Sequence, residues 1–580
     1  MLETYDNNEI VQQEIRELAT EQTRFQAFVK ATYIYTIPVK GDDVTLADIE
    51  KILNKVNSKG EHVFFDLSSY KANMFLCTIY RDQDYYRIAD MVTGIEKVGF
   101  ASSSAELADI LTGGSLPVAH YSVEWDGIEN TCKRLNDAAG ISTTTTHFGH
   151  FGSVDSDYDN PFDSIYPWSE RKLCNIDIDE YMALGAGDKI TDCVKAWEGD
   201  DEFSYTDDNG VWVYTPAFYG RTFINGDKRY FDVTTEATAG NIFYPEMITG
   251  RWHGVEANLT IGGSSKACLL PKPGISASGK AMSTYHTEAK NYKASLTDIY
   301  TLDASALLMV VEYANLNSQA AVGNGASDVY LQSGIHPKAA VTEDDEIVIN
   351  GLSSAQLARV IPGAIVDLGA SDGAATVRTT IEEVTTSGSD TTITLADPVT
   401  VTTDTFVSIH GLINKADSDI GSKSGYIGTN GKCSAYYRGE VLWGNKFQYI
   451  LGAYRQKDTA KVWVCPRSED PDNFDALDTA KKHVNTDIVL PASGYIAALG
   501  MCEGLSIPPF ATATGSGAGS TKPVGDYYYT PAADTANTVL FAGGTASSGA
   551  YVGLFCGNWN YAASYSRWYS GARPHLKNPS

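Results

Sequence analysis

The last thirty residues, 551–580, constrain the fold of this chain more than any other stretch. Their sequence is YVGLFCGNWNYAASYSRWYSGARPHLKNPS, in which aromatic residues stand among Gly, Ser, Ala and Asn, without Glu, Asp, Gln or Met. Tyr and Trp give large, rigid contact area, while Ser, Gly and Asn give adaptable hydrogen bonds, as in antibody paratopes. The stretch therefore predicts either a binding surface or an ordinary C-terminal β-hairpin whose aromatic side chains face a core.

The alternation of residues in this stretch favours the exposed surface. In its first half, neither set of alternate positions is consistently apolar, so neither face resembles that of a half-buried strand. Further on, Tyr565, Arg567 and Tyr569 share one face, and Tyr beside Arg is typical of binding hot spots. We interpret these residues as exposed, and Trp559 and Trp568 as framework residues.

The net charge of the chain disfavours several classes of partner. There are 44 Lys and Arg residues against 72 Asp and Glu residues, which gives a formal net charge of −28. Nucleic-acid binding requires a basic face, and anionic lipid attracts basic segments. We therefore expect no nucleic-acid partner and no docking on anionic membranes. The length of 580 residues predicts several domains.

The N-terminus and the cysteines indicate where the chain folds. The N-terminus, MLETYDNNEI, is acidic and polar, unlike a secretory signal, and no stretch is apolar enough to span a membrane. The 9 cysteines are scattered and form no C-x-x-C pair, which disfavours a disulfide scaffold and a zinc ribbon. We expect folding in a reducing cytosol, with reduced cysteines and no membrane insertion. A role outside the cell remains compatible with this, because proteins folded in a cytosol can be released by cell lysis.

The first 120 residues predict a helix followed by a small α/β domain. Apolar side chains recur at helical spacing over residues 6–30. We therefore predict that segment 1–30 is either a short trimeric coiled coil or a helix packed on its own domain. In domain 31–120, which we assign to oligomerisation or attachment, we predict strands at 33–39, 63–67, 74–81 and 85–92, and helices at 45–56 and 105–111.

From residue 121 onward, aromatic residues, Gly and Asn predict short strands and long loops, with a helix around 304–313. Residues 341–411 differ, because aromatic residues nearly vanish and polar and apolar residues alternate in EIVING, AIVDLG, TVRTTI, TTITLA and FVSIHG. We predict that 341–411 is an inserted small β-barrel or sandwich module. It would divide one domain into the parts 121–340 and 412–580.

The aromatic segments on both sides of this module resemble a known family. YRGEVLWGNKFQYILG resembles the R-G-x-E-N-x-x-G-N-V-x-E-W segment of the formylglycine-generating-enzyme branch of the C-type lectin fold. Together with FDSIYPW, PAFYG, GYIAALG, DYYYT and the ending GLFCGNWN…YSGARPHL, it resembles phage and prophage proteins built on that fold. The resemblance implies an α+β fold: a C-type lectin-like domain of small twisted sheets and helices, to which the N-terminal helix, the α/β domain and the all-β module are added.

Several members of this family are the variable proteins of diversity-generating retroelements. Their randomised codons can encode Tyr, Ser, Asn, Phe, Cys, Arg, Asp, His or Gly, but not Trp, Lys, Glu, Gln or Met, and the ending of this chain fits that set. The alternative is a fixed receptor-binding surface on the same scaffold. The resemblance implies ligand-binding residues at Phe555, Cys556, Asn558, Asn560, Tyr561, Ser564, Tyr565, Arg567, Tyr569 and Ser570.

The function that the resemblance implies is that of a phage receptor-binding protein at the tail tip of the virion, folded in the host cytoplasm. We expect a homotrimer, joined to other tail or baseplate proteins through its N-terminal parts, that recognises a protein or glycan of the bacterial surface. One alternative is a structural tail or virion protein whose aromatic ending is buried at a subunit interface. The other is an oxidative or glycan-active enzyme.

Candidate catalytic residues are few, and we expect no enzymatic activity and no cofactor. Sulfatase-activating relatives use cysteines for oxygen chemistry. Cys502 and Cys556 lie in the corresponding half of the chain but match none of their motifs. The sequence also lacks the G-x-S-x-G elbow of serine hydrolases.

Two segments carry candidate metal ligands. His147 and His150 lie in a Thr- and Gly-rich segment without a partner carboxylate at metal spacing. Asp155, Asp157 and Asp159 alternate as calcium ligands do, but the central Gly and the distal Glu of a helix-loop-helix calcium site are missing. We expect surface loops at both segments and no bound metal, with calcium at the aspartates as the alternative.

Overall fold

The computed structural model describes most of the chain beyond residue 118. It describes residues 119–143, 160–225, 227–237, 241–332, 334–372, 375–415, 434–467, 477, 483–516, 522–531 and 536–579, and the backbone of strands at 3–5, 34–38, 62–67, 73–80, 85–90, 96–100, 148–149 and 427–428.

Strands dominate the described residues, so the predicted α+β fold class is wrong. The structure contains 44% strand and 13% helix, arranged in several antiparallel sheets and a curled half-barrel. The reason is local: segments such as Phe447–Arg455 and Thr538–Gly543 are rich in aromatic, β-branched and small residues, which favour strands over helices. The C-type lectin-like arrangement of sheets and helices that the resemblance implied is therefore not what this chain forms.

The strands of the first 270 residues are, in chain order, β1 (Glu3–Tyr5), β2 (Ile34–Pro38), β3 (His62–Leu67), β4 (Asn73–Tyr80), β5 (Tyr85–Asp90), β6 (Glu96–Phe100), β7 (His120–Asp126), β8 (Thr131–Asn136), β9 (Phe148–Gly149), β10 (Lys172–Ile176), β11 (Val194–Trp197), β12 (Trp212–Thr215), β13 (Phe218–Asn225), β14 (Lys228–Thr234), β15 (Ile242–Tyr244), β16 (Met247–Gly250), β17 (Val255–Ile261) and β18 (Ser264–Leu270).

The later strands are β19 (Ser295–Leu296), β20 (Tyr330–Leu331), β21 (Val341–Asn350), β22 (Ala364–Gly369), β23 (Val377–Ser387), β24 (Asp390–Val401), β25 (Phe406–Leu412), β26 (Ile427–Gly428), β27 (Ala435–Tyr437), β28 (Glu440–Trp443), β29 (Phe447–Arg455), β30 (Lys461–Val464), β31 (Val484–Val489), β32 (Gly494–Leu499), β33 (Ala511–Gly515), β34 (Tyr527–Tyr529), β35 (Thr538–Gly543), β36 (Gly553–Asn558), β37 (Ser570–Gly571) and β38 (Pro574–Leu576).

Helices are short within the described residues. The α-helices are α1 (Ile178–Ala183), α2 (Met282–Lys290), α3 (Ile299–Tyr313), α4 (Ser318–Ala321) and α5 (Ser354–Leu357). Short 3-10 helices span Pro161–Ser164, Trp168–Glu170, Ile190–Cys193 and Gly549–Tyr551.

The chain divides into two compact units, of which the first comprises residues 1–141 and 218–243. One of its sheets has the order β1-β2-β3-β4-β5-β6, with β2 and β3 parallel and the other neighbours antiparallel. The other has the order β15-β13-β14-β7-β8. The strands predicted in 31–120 are present as β2 to β5, whereas the helices predicted at 6–30, 45–56 and 105–111 lie outside the described residues.

The second unit comprises residues 142–217 and 244–580. One sheet has the order β11-β10-β12-β16-β38-β19, and a larger one has the order β31-β30-β29-β35-β36-β34-β32-β33, with β37 beside β29. The C-terminal residues thus contribute strands to two sheets: β36 and β37 to the larger one, and β38 to the other.

Helix α3 is central to the second unit. The Asp298 side chain caps its start by accepting hydrogen bonds from the N–H groups of Tyr300 and Thr301, and Ala314 ends it in the left-handed conformation. Every residue of α3 is buried. The helix predicted around 304–313 is therefore present and begins five residues earlier, at the capping aspartate's neighbour Ile299.

The strands of residues 341–411, the predicted module, join β20 in one curled sheet with the order β20-β25-β22-β23-β24-β21. Its alternating segments coincide with strands β21 to β25. The Val407 N–H donates to the Ile335 carbonyl at 2.9 Å, and the Lys338 N–H donates to the Val348 carbonyl at 2.7 Å. The segment after β20 therefore bonds to β25 and to the edge strand β21. The apolar core also includes Ala546, so the module shares its core with the rest of the second unit.

Candidate functional site

Strand β36, the first half of the predicted binding stretch, is a central strand of the larger sheet. It pairs antiparallel with β35 and parallel with β34. All of its residues are buried. A Cβ atom on Gly557 would lie 2.6 Å from the Tyr528 ring, and one on Gly553 would lie 2.0 Å from the Asp526 carboxylate. The mixed pattern of small and large residues therefore reflects close neighbours on both faces, and the prediction of an exposed surface here is wrong.

Several predicted ligand-binding residues are buried as a consequence. Phe555 and Ser570 are 0% exposed, Cys556 is 1% exposed and Asn558 is 5% exposed. The Asn558 side chain accepts a hydrogen bond from the Asn560 N–H at 3.0 Å. The Ser570 hydroxyl donates to the Arg567 carbonyl at 2.9 Å. Side chains in these positions hold the chain in place and leave no surface for a ligand to contact.

The remaining predicted residues lie on one loop, residues 559–569, which we call the C-terminal loop. Ser564 and Arg567 are exposed, and Asn560, Tyr561, Tyr565 and Tyr569 are half-buried. The Arg567 guanidinium lies over the Tyr565 ring, 5.3 Å from its centroid. The structure thus brings these six residues together, with Arg567 and Ser564 the most accessible.

Tyr561, Tyr565 and Tyr569 form a compact group that we call the tyrosine trio. The rings of Tyr561 and Tyr565 stack with centroids 3.7 Å apart. The hydroxyls of Tyr565 and Tyr569 are hydrogen-bonded to each other, and the Tyr569 hydroxyl donates to that of Tyr561 at 3.3 Å. Burial raises the pKa of Tyr569, and the neighbouring hydroxyls raise it further. Tyr569 therefore remains neutral at physiological pH.

Backbone hydrogen bonds from distant segments fix the C-terminal loop. The Tyr561 carbonyl accepts from the Val539 N–H at 3.0 Å, and the Tyr569 carbonyl accepts from the Phe447 N–H at 2.8 Å. The Arg567 carbonyl accepts from the Gly279 N–H at 2.9 Å. Because the main chain is held from several directions, the loop presents its side chains in a preorganised arrangement.

The two tryptophans predicted as framework residues have different environments. Trp559 is 0% exposed and donates its indole N–H to the Tyr528 hydroxyl at 2.6 Å. Trp568 is half-buried and stacks on Tyr330, with centroids 5.3 Å apart and an interplanar angle of 12°. It also lies 4.5 Å from the His410 ring. Trp568 therefore joins the C-terminal loop to strands β20 and β25 of the curled sheet.

The segment YRGEVLWGN, which carried the family resemblance, contributes Arg438 and Glu440 to buried ion pairs. Arg438 binds both carboxylate oxygens of Glu312, with Nε–Oε2 and Nη2–Oε1 distances of 2.8 Å. Glu440 is bound by Arg171 and Arg573. Burial alone would raise the pKa of Glu440, but the two guanidinium groups outweigh it and keep the pKa below its ordinary value. Buried charges need such partners, so this segment stabilises the scaffold.

The metal ligands considered from the sequence lie outside the described residues, whereas Cys502 and Cys556 are described. No group of three or more His, Cys, Asp or Glu side chains in the described part of the chain could hold a metal ion. His147, His150 and the aspartates at 155, 157 and 159 lie outside the described residues. Burial raises the pKa of the Cys556 thiol well above its ordinary value, which disfavours the reactive thiolate.

A second aromatic surface was missed in the sequence. Tyr495, Tyr527, Tyr529 and Tyr551, which we call the tyrosine platform, come together from strands β32 and β34 and the turn before β36. The segment DYYYT held part of the signal, because alternation along a strand places Tyr527 and Tyr529 on one face. The intervening Tyr528 is 0% exposed.

Two comparisons, with protein-family models and with curated proteins, give no relative for this chain. No protein-family model matches it, and no curated protein is similar to it. None of the helices in the described residues is long and apolar enough to cross a membrane.

Proposed function

We propose that this protein is a phage tail receptor-binding protein that recognises a bacterial surface molecule through its C-terminal loop. The observation that carries the proposal is the loop itself: exposed Arg567 and Ser564 beside half-buried tyrosines, on a main chain that is fixed from distant strands. Arg and Tyr are enriched among residues that dominate binding energy.

The scaffold below the loop suits a surface on which side chains can be exchanged. The buried pairs of Glu440 with Arg171 and Arg573, and of Glu312 with Arg438, lie beneath the surface and involve none of the exposed loop side chains. Substitution of Ser564 or Arg567 therefore leaves the internal charges paired. We further propose a homotrimer, in which several weak contacts combine into avid attachment.

The proposal is tested by binding of the fluorescently labelled protein to a panel of bacterial cells. Arg567→Ala should weaken binding about tenfold or more, as expected for loss of a hot-spot residue. Lys195→Ala is the matched control and should bind like the wild type. Lys195 is also an exposed cation, but it lies in strand β11, which belongs to a different sheet from β36. If the wild type binds a strain and Arg567→Ala binds it equally well, the assignment of Arg567 to the receptor-binding surface is contradicted.

The oligomeric mass of the same variants tests the structural alternative. If Arg567→Ala abolishes a trimer that the wild type forms, the loop is a subunit interface and the receptor proposal fails. Sequencing the gene across a population separates a diversified surface from a fixed one. Diversification should change positions 560, 561, 564, 565, 567 and 569, and should spare the buried Phe555, Cys556, Asn558 and Ser570.

A further inference from the structure

We propose that the tyrosine platform is a second binding site, whose ligand is a neutral glycan. The site consists of Tyr495, Tyr527, Tyr529 and Tyr551 and includes no residue of the C-terminal loop. It adds a ligand class that the proposed function leaves open, and it does not require the C-terminal loop to bind anything.

The rings of the platform form one continuous aromatic surface. Tyr527 lies at its centre, with centroid distances of 5.2 Å to Tyr495, 4.7 Å to Tyr529 and 4.5 Å to Tyr551. Tyr551 also contacts Tyr495 at 5.6 Å and Tyr529 at 6.3 Å. These rings come from three separate segments, so their assembly is a product of the tertiary fold.

The platform remains accessible although its rings contact one another. Tyr551 is 40% exposed, and the other three tyrosines are half-buried. No hydrogen bond joins the hydroxyl of Tyr527, Tyr529 or Tyr551 to another residue that the structure describes. Apolar ring faces and uncommitted hydroxyl groups thus lie side by side at the surface.

Hydrogen bonds to residues next to Tyr527 and Tyr551 hold the platform in place. The Phe555 N–H donates to the Asp526 carboxylate at 2.8 Å, which ties the residue before Tyr527 to strand β36. The Gln319 side chain donates to the Ala550 carbonyl at 3.1 Å, beside Tyr551. A site whose rings are already in place loses little conformational entropy on binding.

The chemistry of the platform matches a sugar better than a charged polymer. A pyranose ring has an apolar C–H face that packs on an aromatic ring and hydroxyls at its edge that pair with tyrosine hydroxyls. Among the described residues, the ring contacts of Tyr527, Tyr529 and Tyr551 are with aromatic residues: with the platform tyrosines and, for Tyr529, also with Phe447 at 6.4 Å. With a net charge of −28, the chain repels acidic polysaccharides, so we assign neutral ones.

Affinity electrophoresis of the full chain through native gels containing dextran, mannan, xyloglucan or laminarin tests this inference. Retardation of the wild type by at least one of these neutral polysaccharides is expected. Tyr551→Ala and Tyr527→Ala should each weaken that retardation about tenfold. Phe243→Ala, which removes an exposed ring (48%) from the first unit, is the matched control and should be retarded like the wild type.

Three results would overturn the glycan site. The first is a wild type that none of the neutral gels retards. The second is unchanged retardation of both tyrosine variants when circular dichroism shows them folded. The third is retardation by alginate, an acidic polysaccharide, in place of the neutral ones.

If Tyr551→Ala fails to fold, Tyr527→Phe provides the second measurement, because it keeps the ring and removes a hydroxyl. Retardation of Tyr527→Phe equal to that of the wild type would contradict a role for that hydroxyl. Arg567→Ala should be retarded normally, which separates this test from that of the C-terminal loop.

Discussion

The tyrosine trio and the tyrosine platform use the same residue type in opposite ways. In the trio, the hydroxyls bond one another, and the rings of Tyr561 and Tyr565 pack against Phe541. In the platform, the hydroxyls of Tyr527, Tyr529 and Tyr551 bond to no other described residue. Hydrogen bonds already made inside the protein cannot be offered to a ligand without being broken. A trio tyrosine can therefore offer a ligand only its ring, whereas Tyr527, Tyr529 and Tyr551 can each offer a ring and a hydroxyl.

The largest test removes a buried carboxylate from the second unit, which contains both tyrosine groups. Glu440→Ala leaves Arg171 and Arg573 without their buried carboxylate, so we expect a loss of about 3–5 kcal/mol in the free energy of unfolding. Both tyrosine groups should lose their fixed environment together, which near-ultraviolet circular dichroism and denaturant unfolding would measure.

The matched control for Glu440→Ala is Glu256→Ala. Glu256 forms an ion pair with Lys280, but its side chain is 52% exposed, so the loss should stay below about 1 kcal/mol. Equal losses in the two variants would contradict a special role for the buried pairs.

The second test uses pH to titrate Asp526, which precedes the platform residue Tyr527 in the chain. Burial without a cationic partner raises the pKa of Asp526 from 3.8 to about 8. The folded state then holds a proton that the unfolded state releases, so the Asp526 contribution is full below pH 3.8 and is lost as pH rises to about 8. The unfolding free energy of the wild type minus that of Asp526→Asn should fall by roughly 2–3 kcal/mol from about pH 5 to about pH 7.

This subtraction matters because other buried groups act in the opposite direction. Burial lowers the pKa of His253 and lowers that of Lys446 to about 7, so both groups favour folding more as pH rises. His253 and Lys446 are present in both the wild type and Asp526→Asn, so their contributions cancel when the two unfolding free energies are subtracted. A difference that is independent of pH would show that Asp526 is ionised in the folded protein.

The smallest test compares one hydroxyl from each group. Tyr569→Phe removes the hydroxyl that links Tyr565 and Tyr561, and we expect a loss of about 1 kcal/mol in unfolding free energy. Tyr527→Phe removes a hydroxyl without a partner among the described residues, so the loss should be below about 0.5 kcal/mol. Denaturant titrations of both variants measure the contrast, and equal losses would remove the distinction between trio and platform.

Local patterns in the sequence predicted local structure well. The alternation at 341–411 corresponds to strands β21 to β25, and the apolar segment around 304–313 lies within α3. Such patterns succeed because a strand or a helix is selected by the spacing of its own side chains. The preference of segments such as Phe447–Arg455 for strands was also local, and the resemblance outweighed it in the predicted fold class. The order in which short strands pair into large sheets was not predictable, because it depends on partners far apart in the chain.

For the candidate site, the sequence by itself determined the aromatic composition of the ending and the closeness of Tyr565, Arg567 and Tyr569 along the chain. Only the tertiary structure decided which of those residues face solvent. Strand β36 is buried because it is an inner strand of the larger sheet and both of its faces are covered. The platform exists because β32, β34 and the segment before β36 meet. Burial is a property of neighbours in space, and no spacing within a strand encodes what will lie beside it.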